Sequence, residues 1–150
     1  MSEIHILLLF HLLSATIWVG GHLVLSIVVL PQVWKEKNIA MLFNFERRYE
    51  WLGMPALAIL LLTGVRMAYV YNVKIATWFA FKTPIETVVS LKLLCLLSIV
   101  LFALSAQCYV LPRLKINSKK LPLMTFHIIA VTLISILMLI LGSFVRYGGI

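Results

Sequence analysis

Aspartate is absent from this 150-residue chain, and glutamate occurs only five times. Without aspartate there is no Ser–His–Asp arrangement to activate a nucleophile. No two histidines stand in H-x-x-x-H spacing either, so zinc-dependent hydrolysis has little to rest on. No glycine-rich phosphate loop and no low-complexity segment occurs. Cysteine is scarce. Cys95 and Cys108 share one apolar run, and thirteen residues on a helix means ~20 Å and nearly opposite faces. They are therefore not expected to bond to each other, and they do not report a redox compartment. Charged residues make up only 12% of the chain, against about a quarter in an average soluble domain. A basic n-region and an A-x-A-like cleavage site are missing from the first apolar segment, so it reads as a membrane span rather than a signal peptide.

What fills the chain instead is hydrocarbon. Hydrophobic residues are 63% of the total, with a mean hydropathy of +1.07. No water-soluble core absorbs that excess, and the chain reads as an integral membrane protein with the lipid bilayer as its first partner. Four stretches are long enough to cross about 30 Å of hydrocarbon, near 4–30, 51–71, 87–111 and 123–145. The expected fold is all-α: a single transmembrane four-helix bundle over 1–150, running up-down-up-down. Val29-Leu30-Pro31 and Val110-Leu111-Pro112 are an internal echo, each expected to stop a helix at the interface and open a basic loop.

Charge orients the bundle. Lys35, Lys37, Arg47, Arg48, Arg113, Lys115, Lys119 and Lys120 follow spans one and three, while only Lys74, Lys82 and Arg146 fall on the other side. The positive-inside bias predicts that the two basic loops are cytoplasmic and both termini lie on the outer side of an inner (cytoplasmic) membrane. The net charge of +8 then reads as topology and anionic-lipid contact, with no nucleic acid implied. Trp78, Phe79 and Phe81 suit an aromatic belt at the outer interface.

Against this background the histidines stand out, because an intramembrane ionisable group costs roughly 2–3 kcal/mol and is a functional candidate by default. His11 and His22 are eleven residues apart, which is ~16.5 Å of rise and only ~20° of rotation. They share a face with Trp18, and Gly20-Gly21 beside His22 leaves room for a backbone or a flat ligand. His127, on the antiparallel fourth span, differs from His22 in depth by only ~6 Å. The two are expected to face each other across the bundle as an axial ligand pair for haem b, in a pocket that includes Trp18 and Gly21. His11, Arg66 and Lys92 come to similar depth in the outer half. There they form a candidate catalytic and proton-transfer site, with His11 the ligand of a second haem if two are bound. Bland readings stand beside these: a histidine bonded to a neighbouring serine or carbonyl, and Arg66 or Lys92 snorkelling to the interface. Copper is the competing metal, but the six methionines form no M-x-x-M or M-x-M cluster, and Cu(I) favours thioether and thiolate.

The segments "FHLLSATIWVGG", "FERRYEWLGMPALAILLLTG", "SLKLLCLL" and "VLPRL" occur in that order through Leu114. They resemble the copper resistance D (CopD) family and the related HemJ-type protoporphyrinogen oxidases. The resemblance implies a b-haem membrane protein in which His11 and Lys92 take the place of the oxidases' motif histidine and lysine. Those oxidases carry an Asn-Glu stretch in span four, whereas this chain has "TFHII" with His127, and His22 is an addition. Both departures are what an extra histidine pair for haem would produce. The function expected is that of a haem-binding electron-transfer protein, as an oxidoreductase with a quinone or porphyrin-type reductant and with self-association as a homo-oligomer open. The alternative implied by the CopD name is a copper permease or copper-handling protein.

Overall fold

The computed structural model describes residues 2–150, and all its regular structure is helical. Four long helices account for the spans: α1 (Glu3–Glu36), α2 (Ile39–Val70), α3 (Pro84–Ile116) and α4 (Ser118–Val145). They form the expected up-down-up-down bundle of a multi-pass membrane protein. Their boundaries differ from the expected ones. At 1.5 Å per residue the first three reach roughly 50 Å, well beyond the ~30 Å of hydrocarbon. The additional length is at the basic-loop end. Lys35, Arg47 and Arg48 ride on helices, and Lys37-Asn38 alone turns the chain from α1 into α2. Lys37 takes a left-handed φ of 51°, and the Asn38 side chain caps α2 by accepting from the Ala40 amide.

Pro31 and Pro112 do not stop their helices, contrary to the expectation. Each is preceded by one π-helical turn, Leu25–Val29 and Ala106–Val110. In α1 the Leu30 amide reaches back five residues to the Leu25 carbonyl, and in α3 the Leu111 amide reaches Ala106. A proline in an α-helix lacks its own N–H and collides with the carbonyl four residues earlier. Widening the preceding turn moves that carbonyl aside and lets the helix continue. The Val-Leu-Pro echo is therefore a structural repeat: one π turn at the same place in α1 and α3.

The helices are closest in pairs, α1 with α2 and α3 with α4, and α1 also packs on α4. By contrast α2 and α3 hardly touch along their middles. The densest packing is at the basic-loop end, where Val33, Leu42, Val110 and Leu114 are essentially inaccessible. At the opposite end Thr83 and Glu86 form a capping box that starts α3 at Pro84. The connecting segment returns onto α3 through the Phe79 amide and Ser90 Oγ, 3.1 Å apart. Phe79 and Phe81 are exposed there, as an interfacial belt requires.

Candidate functional site

Between the four helices, on the terminal side of the dense core, lies a cleft of about 930 Å³ including its mouth. It is lined from every span. Trp18 and His22 come from α1; Glu46, Tyr49 and Met54 from α2; Phe102 and Gln107 from α3; Met124 and His127 from α4. The two π turns contribute Leu25, Ala106 and Gln107 to its wall. Its mouth lies where α2 and α3 fail to meet, closed at the basic-loop end by a Gln107 Nε2–Glu46 Oε1 hydrogen bond of 3.1 Å.

His22 and His127 both line this cleft, and they are held alike. Each ring bonds through Nδ1 to the carbonyl four residues earlier in its own helix, Trp18 for His22 and Leu123 for His127, at 2.9 Å. A carbonyl can only accept, so Nδ1 carries the proton and Nε2 presents its lone pair away from the helix. That second-neighbour bond fixes the tautomer and orientation a metal-ligating imidazole needs. His127 Nε2 accepts from Ser105 Oγ at 3.0 Å, whereas His22 Nε2 has no partner among the described residues. Phe102 stands edge-on to His127, and Trp18 lies 4.6 Å from the His22 ring, centroid to centroid.

Gly21 is a point of close approach between α1 and α2. A Cβ there would land in the ring of Tyr49, so a side chain of α2 takes up the room it leaves. Gly53, one turn along α2, makes room for the same ring. The Tyr49 hydroxyl donates to the Trp18 carbonyl at 2.9 Å and to Ile17 at 3.2 Å. Tyr49, Ser105, Glu46, Glu50, Met54 and Met124 all line or support the cleft without having been singled out in sequence. The methionines lack a linear motif because α2 and α4 supply one each.

The terminal half of the bundle holds the second group. His11 Nδ1 is 2.8 Å from Thr63 Oγ1. Thr63 spends its own proton on the Ile59 carbonyl at 2.6 Å, so it accepts from His11 and leaves His11 Nε2 as an acceptor. Lys92 reaches across to α4, where its Nζ would be 3.3 Å from a Cβ on Gly142. Arg66 joins neither. It pairs with Glu3 at 2.6 Å in an exposed ion pair at the interface, which is the snorkelling outcome with an acidic partner. His11 also stands outside the cleft, so it shares no ligand set with His22 and His127. No group of three or more His, Cys, Asp or Glu side chains that could hold a metal ion exists among the described residues. Cys95 and Cys108 are free.

No curated protein and no solved structure matches this chain. A family model described as copper resistance protein D matches residues 43–145, which takes in most of α2, Lys92, the second π turn and His127. With more than half of its length matched, and with the four-helix architecture beneath it, the chain belongs to the copper resistance protein D family.

Proposed function

We propose that this chain is a copper-handling membrane protein that holds or passes the ion in the cleft between its four spans. One observation carries the reading. Two imidazoles, His22 and His127, each set by an Nδ1–H bond to its own helix, line a cleft to whose wall Met54 and Met124 also contribute. Imidazole and thioether suit copper, and thioether favours Cu(I). The charge of the lining agrees. Glu46 and Glu50 are the charged side chains there, and no Lys or Arg lines the cleft among the described residues. Carboxylates as the charged groups of a lining favour a cation over an anion. His22 is the open ligand; His127 is kept in place by Ser105 until the ion displaces that bond. Both termini on the outer side of an inner membrane, and one functional unit over 1–150, complete the proposal.

Haem is the second reading, favoured by the same imidazole pair and by walls of Phe102, Trp18 and Tyr49. It fits at the iron and not at the periphery. Haem propionates are anions that need cationic partners on entering a membrane, and the cleft offers Glu46 and Glu50 instead. Electron transfer with a quinone or porphyrin-type reductant belongs to this second reading. Metal analysis and a reduced-minus-oxidised spectrum of the purified protein separate the two. About one copper per chain with no sharp α-band is expected, and His22→Ala should weaken Cu(I) binding at least ~10-fold in a chelator competition. A stoichiometric b-type spectrum in copper-free protein would overturn the copper reading in favour of haem.

A further inference from the structure

A single side-chain hydrogen bond ties α2 to α3 among the described residues: Gln107 Nε2 donates to Glu46 Oε1 at 3.1 Å. It spans the gap where the two helices fail to meet, and both residues line the cleft. Glu50, one turn along α2 from Glu46, lines it too. Lys115 of α3 is turned onto the Phe43 ring, 5.5 Å from its centroid, so Glu46 makes no ion pair among the described residues. Gln107 sits on the π turn of α3, and single π turns inside α-helices recur at functional sites. The bond also lies level with the imidazoles. Tyr49 of α2 bonds the Trp18 carbonyl of α1 at 2.9 Å. From that tie Glu46 is three residues towards the basic loops and His22 four, ~4.5 and ~6 Å of helix rise. On the other two helices, Gln107 is two residues from Ser105, the partner of His127 Nε2.

This level is the edge of the bilayer. Glu46, Arg47, Arg48 and Glu50 stand together on α2, and charges so dense do not sit in hydrocarbon. Trp51 follows them, 85% exposed, where an indole suits the membrane–water interface. Nearer the basic loops, the cluster of Val33, Leu42, Val110 and Leu114 fills the bundle axis. A cation in water thus has a way into the cleft from the side, between α2 and α3, rather than along the axis.

We infer that Glu46 and Gln107 form a latch across the mouth of the cleft, and that a cation enters from the basic-loop end by taking the Glu46 carboxylate from Gln107. The identity of that cation as copper rests on the reading proposed above. Glu46 and Glu50 give the mouth its negative charge, and the Gln107 amide holds it closed with one neutral donor. A cation at Glu46 replaces that donor and frees α2 from α3. Carboxylate is a poor match for Cu(I), which prefers thioether and imidazole. Glu46 therefore acts as the entrance and not as a ligand of the final site, and the ion moves on to the histidines at the same level.

The test is access to the cleft. In a background without Cys95 and Cys108, Val131→Cys places a thiol on the α4 wall, where Val131 is 8% exposed. The purified protein in detergent is treated with methanethiosulfonate reagents of matched size, one cationic and one neutral. Gln107→Ala should speed both reactions roughly fivefold through the loss of one hydrogen bond. Gln107→Lys replaces that bond by an ion pair with Glu46 and should slow the neutral reagent. Glu46→Gln keeps a partner for Gln107 without the charge, and should lower the cationic-to-neutral rate ratio at least ~3-fold. Cu(I) delivered from a chelator should load the Gln107→Ala protein faster by the factor seen with the reagents. Equal thiol rates in the parent and both Gln107 variants overturn the latch. Thiol rates that follow the latch in protein that binds no copper keep the entrance and overturn the copper reading.

Discussion

At the scale of the residue, the cleft depends on where one proton sits on each ring. The two helix carbonyls hold it on Nδ1, and this makes Nε2 the reactive atom of both histidines. The two differ in readiness, because Ser105 occupies His127 Nε2 while His22 Nε2 is unpartnered among the described residues. A ligand arriving at His127 must first break a neutral hydrogen bond worth about 1 kcal/mol net. Ser105→Ala is therefore expected to raise Cu(I) affinity by roughly fivefold, the opposite sign from the loss expected on removing His22. Chelator competition on the two variants side by side checks this, and a fall in affinity for Ser105→Ala would show that the serine positions the ring rather than masking it. The positions of the histidines were legible in sequence from helical rise alone. The serine was not, since nothing in the run "LSAQ" sets Ser105 apart from the other hydroxyls of the spans. Only the α3–α4 packing gives it a partner.

At the scale of the element, four spans and their order followed directly from hydropathy, and their lengths did not. The apolar window ends where the hydrocarbon ends, but a helix ends where its hydrogen bonds and caps end. Asn38 and Lys37 carry the true stop between α1 and α2. Pro31 and Pro112 misled for a related reason: the rule that proline breaks a helix assumes an α turn, and a π turn removes the collision. Gly21 was legible as a site of close approach, though not as the seat of Tyr49, whose own position depends on how α1 crosses α2. That seam can be tested. Gly21→Ala should destabilise the bundle by about 1–3 kcal/mol, the usual cost of overpacking. Replacing Tyr49 by alanine in the same chain should recover part of the loss, as expected for residues in contact. Additive losses in the thermal unfolding of the double variant would mean that the ring does not lie between Gly21 and Gly53.

At the scale of the whole molecule, the basic residues gather at one end and the termini at the other. Eight Lys and Arg lie at the basic end, against Arg66, Lys74, Lys82 and Arg146 at the other, and the positive-inside bias then assigns the basic end to the cytoplasm. In a background without Cys95 and Cys108, a cysteine at Lys119 should resist an impermeant thiol reagent in intact cells, and one at Thr77 should react. The reverse pattern would invert the bundle. The same end bears the tight leucine and valine cluster, and its location decides what kind of force holds it. Lipid tails are as apolar as leucine, so packing side chains within the bilayer gains nothing from leaving water. Past the hydrocarbon boundary the solvent is aqueous, and burying Val33, Leu42 and Leu114 there removes apolar surface from water at ~25 cal/mol per Å². The bundle is thus built like a tuning fork: the stem is gripped by the hydrophobic effect, and the tines, which carry the histidines and the lysine, stand in a solvent that does not press them together. A spreading of α2 from α3, which the proposed ion handling calls for, would leave the stem undisturbed.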